Sequence, residues 1–338
     1  MAGTVFVSGG SGYLAGFLIR QLVAAGWMVH TSIRDLAKEN AVRGSLAVDV
    51  SKVTFFAADL MGDAGWAEAM AGCSHVAHVA SPLPSNAPKH PDELIVPARE
   101  GTLRALRAAK AAGVTRFVMT SSMAAIAYGH GPGRHVFTEA DWTDTNSKDA
   151  YPYVQSKTLA ERAARDWIAA EGGALEFCTV NPSLVLGPLQ SGDFSTSLEA
   201  IKKLLEGSLP GLPNLGFGVV DVRDVADMHV RCLTAPDMAG ERFICSGPFM
   251  MMKDVAAVLK AGLGDQARKV PSRTMPDWLM RVAAMFDPVV RQVVGELGNV
   301  RESPAVHARE KLGWVPRPVN ETILDTARDM IRLGIVKI

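Results

Sequence analysis

The chain of 338 residues is poor in cysteine, balanced in charge and free of long apolar runs. The four cysteines, Cys73, Cys178, Cys232 and Cys245, lack the spacing of zinc ligands or of a CxxC pair, so we expect reduced and mostly buried thiols. Lysine and arginine total 35, as do aspartate and glutamate, which argues against nucleic acid as the main partner. No acidic cluster suggests a metal site.

The sequence also lacks the segments that direct a protein into or across a membrane. No stretch approaches the roughly 18 uninterrupted apolar residues of a spanning helix. No basic region with a cleavage site precedes the apolar run Thr4–Val7, so we expect no signal peptide and a cytoplasmic location. The composition, 48% hydrophobic and 21% charged, is ordinary for a globular enzyme with a small-molecule substrate.

Short apolar runs alternate with longer helical patterns in the first 182 residues. The predicted strands are 4–7, 29–33, 53–57, 76–80, 116–120 and 175–181. The predicted helices are 14–25, 91–112 and 151–170. This alternation indicates an α/β fold of the Rossmann type, with a doubly wound parallel sheet covered by helices on both faces.

After Pro182 glycine and proline become frequent, and helical patterns dominate. Helices are predicted at 198–205, 222–233, 252–262, 277–286 and 320–333, with one further strand at 242–245. We therefore expect a dinucleotide-binding domain at 1–182, to which 218–246 returns. A smaller, mostly helical substrate-binding part would comprise 183–217 and 247–320, followed by a C-terminal helix within 321–338.

A glycine-rich turn, Ser8-Gly9-Gly10-Ser11-Gly12-Tyr13-Leu14-Ala15, joins the first predicted strand to the first predicted helix. It can be framed as Gly9-x-x-Gly12-x-x-Ala15 or as Gly10-x-Gly12-x-x-Ala15. Small residues let the backbone approach a pyrophosphate, and the positive end of the helix holds its charge. In this position the turn predicts a dinucleotide site.

The second predicted strand ends in Thr31-Ser32-Ile33-Arg34, without the carboxylate that NAD-specific folds place there. A guanidinium at Arg34 can instead bind a 2′-phosphate, and Lys38 can add a second positive charge. These residues favour NADP(H). The alternative is that Asp35 pairs with Arg34 at the surface.

A catalytic constellation is predicted from Ser122, at the end of the fifth strand, and Tyr153 with Lys157 on the following helix. Residues four apart share one helix face. An ammonium at Lys157 would lower the pKa of Tyr153 and make its phenol a proton donor near neutral pH. A serine hydroxyl there can bind a carbonyl oxygen, so the set suits hydride transfer to a C=O group. The alternative is a surface pair of no chemical role.

The chain resembles the extended short-chain dehydrogenase/reductase family, and within it the branch of dihydroflavonol, cinnamoyl-CoA and yeast methylglyoxal or ketone reductases. The resemblance covers nearly the whole chain. Its anchors are 7–15, 32–35, 58–60, 78–82, 117–122, Tyr153 with Lys157, 181–188 and 220–226. It implies that Ser122, Tyr153 and Lys157 form a catalytic triad, with Lys157 also holding the ribose.

The resemblance further implies a set of cofactor contacts. Asp59 and Leu60 would touch the adenine end, and Ala80 and Ser81 the path from ribose to diphosphate. The implied cofactor residues are Gly9, Gly12, Tyr13, Leu14, Arg34, Lys38, Asp59, Leu60, Ala80, Ser81, Thr120, Tyr153, Lys157, Pro182, Ser183, Val185 and Ser197. The pair Arg223-Asp224 would be a structural element between the two parts.

Two departures and several alternatives remain open. The third small residue of the turn is Ala15 where relatives often have glycine, and the aromatic and cysteine-rich stretch of cinnamoyl-CoA reductases is absent around Tyr153. An apolar substrate pocket is expected from Leu83, Pro84, Met123, Ala124, Leu186, Phe217 and 249–252. The alternative functions are a 3β-hydroxysteroid-type dehydrogenase, a sugar-nucleotide epimerase or a non-catalytic NADP sensor. Whichever function holds, we expect a monomer or a homodimer.

Overall fold

A computed structural model describes residues 3–82, 88–191 and 196–338. In these ranges the strands are β1 (Thr4–Val7), β2 (Met28–Ile33), β3 (Val53–Ala57), β4 (His75–His78), β5 (Arg116–Thr120), β6 (Arg134–Val136), β7 (Glu176–Pro182), β8 (Leu184–Leu186), β9 (Gly216–Asp221), β10 (Arg242–Cys245), β11 (Phe249–Met251) and β12 (Val300–Glu302). The helices are α1 (Tyr13–Ala24), α2 (Glu39–Leu46), α3 (Trp66–Met70), α4 (Asp92–Ala111), α5 (Pro152–Glu171), α6 (Glu199–Glu206), α7 (Val222–Thr234), α8 (Met252–Leu263), α9 (Asp277–Ala283), α10 (Pro288–Val293), α11 (Val306–Leu312) and α12 (Val319–Arg332).

The main sheet has seven parallel strands in the order β10-β7-β5-β4-β1-β2-β3. The direction of winding reverses at β1, where Val5 pairs with Val29 of β2 on one side and with His75 of β4 on the other. Open sheets of this kind bind ligands at the carboxyl ends of the strands beside such a reversal. The glycine-rich turn follows β1, so it lies at this point.

Alternate residues of the sheet strands pack into two different cores, because successive side chains of a strand point to opposite faces. Phe6 and Phe117 pack with Trp167 beneath α4 and α5. Val5 and Val118 pack on the other face, beneath α1 and α7. Burial on both faces is why the strands are continuous apolar runs in the sequence.

The second part of the chain has a core of its own. Buried side chains of α6, α8 and α12, among them Leu204, Leu259 and Ile323, pack together. A three-stranded sheet, β11-β9-β8, borders this core, and β6 pairs with β12 in a separate ribbon. The domain boundaries given above stay a prediction, although α11 packs into the core of the main sheet through Ala308 and Leu312.

The structure differs from the predicted elements in two instructive places. The fourth strand ends at His78 instead of residue 80, because the backbone N–H groups of Val79 and Ala80 donate to Ser8 Oγ, each at 2.9 Å. The predicted helix 277–286 ends already at Ala283 as α9, and a separate helix, α10, begins at Pro288. Proline fits the first turn of a helix, where its missing N–H costs nothing.

None of the helices in the described residues combines the length and the apolar character needed to cross a bilayer. The described residues also contain no group of three or more His, Cys, Asp or Glu side chains that could hold a metal ion.

Ion pairs of Arg223 and Arg317 connect α7 with the C-terminal part of the chain. Asp224 accepts from the backbone N–H of Arg317 at 2.8 Å and from its guanidinium Nη2 at 2.7 Å. Arg223 donates to Asp221 at 2.8 Å and to Asp325 of α12 at 2.7 Å. These bonds agree with the structural role expected of Arg223-Asp224.

Asp224→Asn is expected to destabilise the protein by about 2 kcal/mol, because a charged acceptor of several buried donors is lost. Asp227→Asn on the same helix is the control. Its pair with Arg231 is 41% exposed on both sides, so we expect a change within about 0.5 kcal/mol. Urea unfolding of both variants tests this, and equal losses of stability would contradict the assigned role of Asp224.

Candidate active site

The glycine-rich turn is built so that backbone atoms crowd together at the start of α1. Gly9 has a φ of +72°, and a Cβ on it would lie 3.1 Å from the Cβ of Ala80. The N–H of Gly10 donates to the Ser32 carbonyl at 2.7 Å, and that of Gly9 donates to Ser32 Oγ at 3.0 Å. Gly12 caps α1 with an extended backbone and no side-chain cap. A phosphate can therefore approach the helix N-terminus without meeting a side chain of the cap residue.

Ser8 ties this turn to the end of β4. Its hydroxyl accepts from Val79 and Ala80 and lies 3.0 Å from His78 Nδ1. Burial lowers the pKa of His78 to about 3, with a further effect of Lys157. His78 is therefore neutral, and Ser8 donates its proton to Nδ1. Sequence reasoning missed Ser8 as a residue of the site, because one serine in a glycine turn looks like a spacer.

The residues at the end of β2 lie at the surface. Arg34 and Lys38 are exposed, and within the described chain no ion pair joins Arg34 to Asp35. Asp35 instead accepts from the backbone N–H of Ala37 at 2.9 Å and caps its own turn. The alternative in which Asp35 pairs with Arg34 is therefore not seen.

Asp59 and Leu60 follow β3, the neighbour of β2 in the main sheet. The Asp59 carboxylate accepts from the backbone of Met61 at 2.7 Å. Leu60 packs toward Gly101 of α4, and its carbonyl accepts from Arg104. Ala80 and Ser81 lie half-buried after β4, and Ala80 faces Gly9.

The three predicted catalytic side chains come together at the carboxyl end of β5. Tyr153 and Lys157 lie in the first part of α5, with Lys157 Nζ 5.8 Å from the centroid of the Tyr153 ring. The Ser122 side chain is hydrogen-bonded to the Tyr153 phenol. Thr120 is turned away from them, since its hydroxyl lies 2.7 Å from Nε2 of the buried His229.

The structure also separates the two adjacent serines. Ser121 is buried and donates to Glu161 at 2.5 Å, on the far side of the strand end. Ser122 lines the cavity described below and accepts from the N–H of Ala124 at 3.1 Å. This arrangement favours Ser122 over Ser121 as the residue that meets a substrate.

The pKa values of the pair differ from the expectation. Burial raises the pKa of Tyr153, and the bond from Ser122 opposes this in part. The expected lowering of the Tyr153 pKa is wrong for this structure, because burial outweighs the opposing effect of the bond from Ser122. Burial also lowers the pKa of Lys157 to about 8, although the Glu161 carboxylate acts to raise it.

A cavity of about 640 Å³ opens beside Ser122 and Tyr153. Its wall includes Met123, Leu215, Phe217 and Met252, so the substrate side is largely apolar. Leu83 and Pro84, which were expected to belong to it, lie outside the described residues. Leu186 is buried in the second core and does not line the cavity.

The remaining predicted cofactor residues frame this cavity or lie next to it. Pro182, Ser183 and Ser197 line it together with Ser122 and Tyr153, whereas Val185 lies half-buried in β8. The hydroxyls of Ser183 and of Tyr13, at the start of α1, are buried without a protein partner among the described residues. Buried polar atoms of this kind are normally satisfied, so both fit a bound polar ligand.

Sequence reasoning missed a polar group in the wall of the cavity. Arg301 donates to Glu296 at 2.6 and 2.8 Å and lies 4.6 Å from the centroid of the Tyr128 ring. Tyr128 is hydrogen-bonded to Tyr151, which stacks near Tyr153. No sequence signal pairs these residues, because they come from distant segments.

A parallel sheet with a glycine-rich turn at its point of reversal is the architecture of dinucleotide-binding enzymes. Comparison with known proteins agrees with this. The model of the NAD dependent epimerase/dehydratase family matches residues 5–245. A cinnamoyl-CoA reductase of Medicago truncatula is 35% identical over 266 residues, which cover 76% of this chain and 78% of that protein. A dihydroflavonol 4-reductase of Zea mays is 30% identical, with coverages of 76% and 74%.

Solved structures give the same result. The yeast methylglyoxal/isovaleraldehyde reductase Gre2, complexed with NADPH, matches with a TM-score of 0.83 and 25% identity over 98% of this chain and 99% of that one. Gre2 of Candida albicans with NADPH matches with a TM-score of 0.81, 25% identity and the same coverages.

The chain therefore belongs to the NAD dependent epimerase/dehydratase family, the extended short-chain dehydrogenases/reductases. It is an oxidoreductase that acts on CH–OH or C=O groups with a nicotinamide dinucleotide. The predictions of fold class, family and enzyme class are confirmed, and the NADPH in the two Gre2 structures agrees with the cofactor prediction.

Gly9→Ala is expected to weaken dinucleotide binding by about tenfold or more, because the new methyl group meets Ala80 and displaces the turn. Gly26→Ala is the matched control. Gly26 has a φ of +88° but nothing within 4 Å, so it shares the backbone strain without the contact. Fluorescence titration with NADPH compares them. The same affinity for both variants would mean that the fit of Gly9 against Ala80 does not matter for binding.

Proposed function

We propose that this protein is an NADPH-dependent reductase of aldehydes or ketones, in which Tyr153 protonates the carbonyl oxygen. The observation that carries the proposal is the meeting of three groups at one end of an apolar cavity. The Ser122 side chain is hydrogen-bonded to the Tyr153 phenol, and Lys157 Nζ lies 5.8 Å from the centroid of the Tyr153 ring. Such a set can orient a carbonyl and supply the proton that hydride transfer requires.

The residues present fit a nicotinamide dinucleotide. The turn at Gly9 leaves no room for a side chain. The buried hydroxyls of Tyr13 and Ser183 have no hydrogen-bond partner among the described residues and could bind polar atoms of the cofactor. Gly9, Gly12 and the N-terminus of α1 would hold the diphosphate, and Lys157 the ribose. The nicotinamide, when bound, supplies the hydride.

The chain's own residues perform the remaining work. Ser122 donates a hydrogen bond to the substrate oxygen and holds it against Tyr153. As negative charge develops on that oxygen, the Tyr153 Oη proton passes to it. The positive charge of Lys157 stabilises the phenolate that remains. Apolar walls at Met123 and Phe217 keep water from this exchange.

The choice of NADPH rests on the end of β2. Arg34 is exposed there and is not engaged by Asp35, which caps its own turn. A free guanidinium can form a forked pair with a 2′-phosphate, and Lys38 lies one short turn further on. An epimerase that holds NAD tightly would place an acidic residue at this strand end, and the chain has none at 31–34.

The substrate that suits the cavity is neutral and apolar or aromatic. Arg301 and Glu296 in the cavity wall are already paired with each other through two bonds, so they offer no unpaired charge to a substrate. Glu199 and Lys203 also line the cavity, but most of its wall is apolar, and Met123, Met252 and Phe217 can adapt to apolar shapes. A cytoplasmic location and a monomeric or homodimeric state stay predictions from the sequence.

Tyr153→Phe is expected to lower kcat by at least about 100-fold, because the proton donor is lost. NADPH affinity should change little. Tyr151→Phe is the control, since its ring stacks beside Tyr153 but is not bonded to Ser122. Oxidation of NADPH with a panel of aldehydes and ketones measures both. Turnover retained in Tyr153→Phe would remove Tyr153 as the donor, and NADPH bound without turnover in the wild type would favour a sensor.

Arg34→Ala is expected to weaken the binding of NADPH by about tenfold or more, because only NADPH carries the 2′-phosphate. The binding of NADH should be nearly unchanged. Arg268→Ala, at another exposed arginine, serves as the control for a general loss of positive charge. Dissociation constants for both dinucleotides decide the matter. If Arg34→Ala weakens both equally, Arg34 does not read the phosphate.

A further inference from the structure

We propose that Glu161 is a positioning residue for the reaction, which fixes the carboxyl end of β5 and places a negative charge one helical turn from Lys157. This inference rests on the proposed function, in which Lys157 must be charged. It adds a residue that contacts neither substrate nor cofactor in that mechanism. Glu161 follows Lys157 by one helical turn on α5.

Glu161 is a carboxylate that is completely buried in the protein, with 0% of its side chain exposed. It accepts from Arg242 Nε at 2.7 Å, from Asn181 Nδ2 at 2.8 Å and from Ser121 Oγ at 2.5 Å. Burial acts to raise the pKa of Glu161, but Arg242, Arg165 and these bonds outweigh it and hold the pKa below the usual range. Glu161 is thus charged at neutral pH.

Two of these partners belong to the catalytic strand ends. Ser121 precedes Ser122, and Asn181 of β7 donates its other N–H to the carbonyl of Ser122 at 3.2 Å. The carboxylate therefore holds the Ser122 segment from both sides. A pair formed with Arg242 alone would satisfy the charge of Glu161, so it does not account for these two bonds.

Besides these hydrogen bonds, Glu161 acts on Lys157 through its negative charge. Burial lowers the pKa of Lys157, and Glu161 opposes this. The other titratable groups that face Lys157 are Tyr153 on α5 and His78 on β4, and burial keeps both neutral near pH 7. Arg242 on β10 and Arg165 on α5 face the carboxylate. Glu161 is therefore the negative charge of this set.

Glu161→Gln should move the alkaline limb of the pH profile of kcat/KM downward by about one pH unit, because Lys157 loses its negative neighbour. The wild-type limb is expected near pH 8, where Lys157 loses its proton. Ser121→Ala is the matched control, since it removes one bond to Glu161 and keeps the charge. It should lower kcat without moving the limb. A purely structural role would reduce activity or stability at every pH.

A direct titration gives a reading that does not depend on turnover. The ¹³Cε signal of Lys157, identified by its loss in Lys157→Arg, is followed against pH in the protein without added cofactor. We expect a lower midpoint in Glu161→Gln than in the wild type. If Glu161→Gln does not fold, Glu161→Gln/Arg242→Met removes the buried pair as a unit, which proteins tolerate better. A smaller shift in the same direction is then expected, because the positive charge of Arg242 is lost as well.

The outcomes separate this inference from the proposed function. An unchanged midpoint and limb in a folded variant would overturn the role of Glu161 while leaving Tyr153 as the donor. Retained turnover in Tyr153→Phe would overturn the proposed function, and the NMR titration would still report on Glu161 and Lys157.

Discussion

Four neighbouring parallel strands, β1, β4, β5 and β7, end at the same edge of the main sheet, and the residues that follow these strands form one side of the site. The glycine turn leaves β1, Ala80 leaves β4, and Ser122 leaves β5. Their relative positions follow from strand register, which burial on both faces leaves no freedom to slip. Side-chain hydrogen bonds then hold in place the residues that follow the strands. Ser8 forms such bonds between the ends of β1 and β4, and Asn181 together with Glu161 forms them between the ends of β5 and β7.

These correcting bonds are buried polar groups, and such groups are costly unless each finds a partner. The protein meets this condition by letting one group serve several neighbours. The Ser8 hydroxyl satisfies two backbone donors and one histidine, and Glu161 collects two arginines, a serine and an amide. Rigidity of the catalytic strand ends follows, because no member of either network can move without leaving another unpaired.

The sequence predicted the elements whose cause is local. The seven strands of the main sheet, the long helices α4 and α5 and the turn at Gly9 carry their own apolar periodicity or glycine pattern. The short elements β6, β8, β11 and β12 do not, since three residues hold no period and form only against a partner strand. The pair Tyr153–Lys157 was readable from spacing, whereas Glu161 and Asn181 were not. In the sequence, a buried acidic residue on a helix cannot be distinguished from a solvated one. Only the fold shows that Arg242 of β10 pairs with Glu161 in the interior.

The same limit explains the pKa of Tyr153. Spacing showed a cation beside a phenol, which by itself predicts a lowered pKa. Burial, which spacing does not reveal, raises it. A phenol with a raised pKa is fully protonated at neutral pH, and Lys157, with a pKa of about 8, is still mostly charged there. This combination suits the proposed carbonyl reduction, since the donor holds its proton until the substrate oxygen becomes basic.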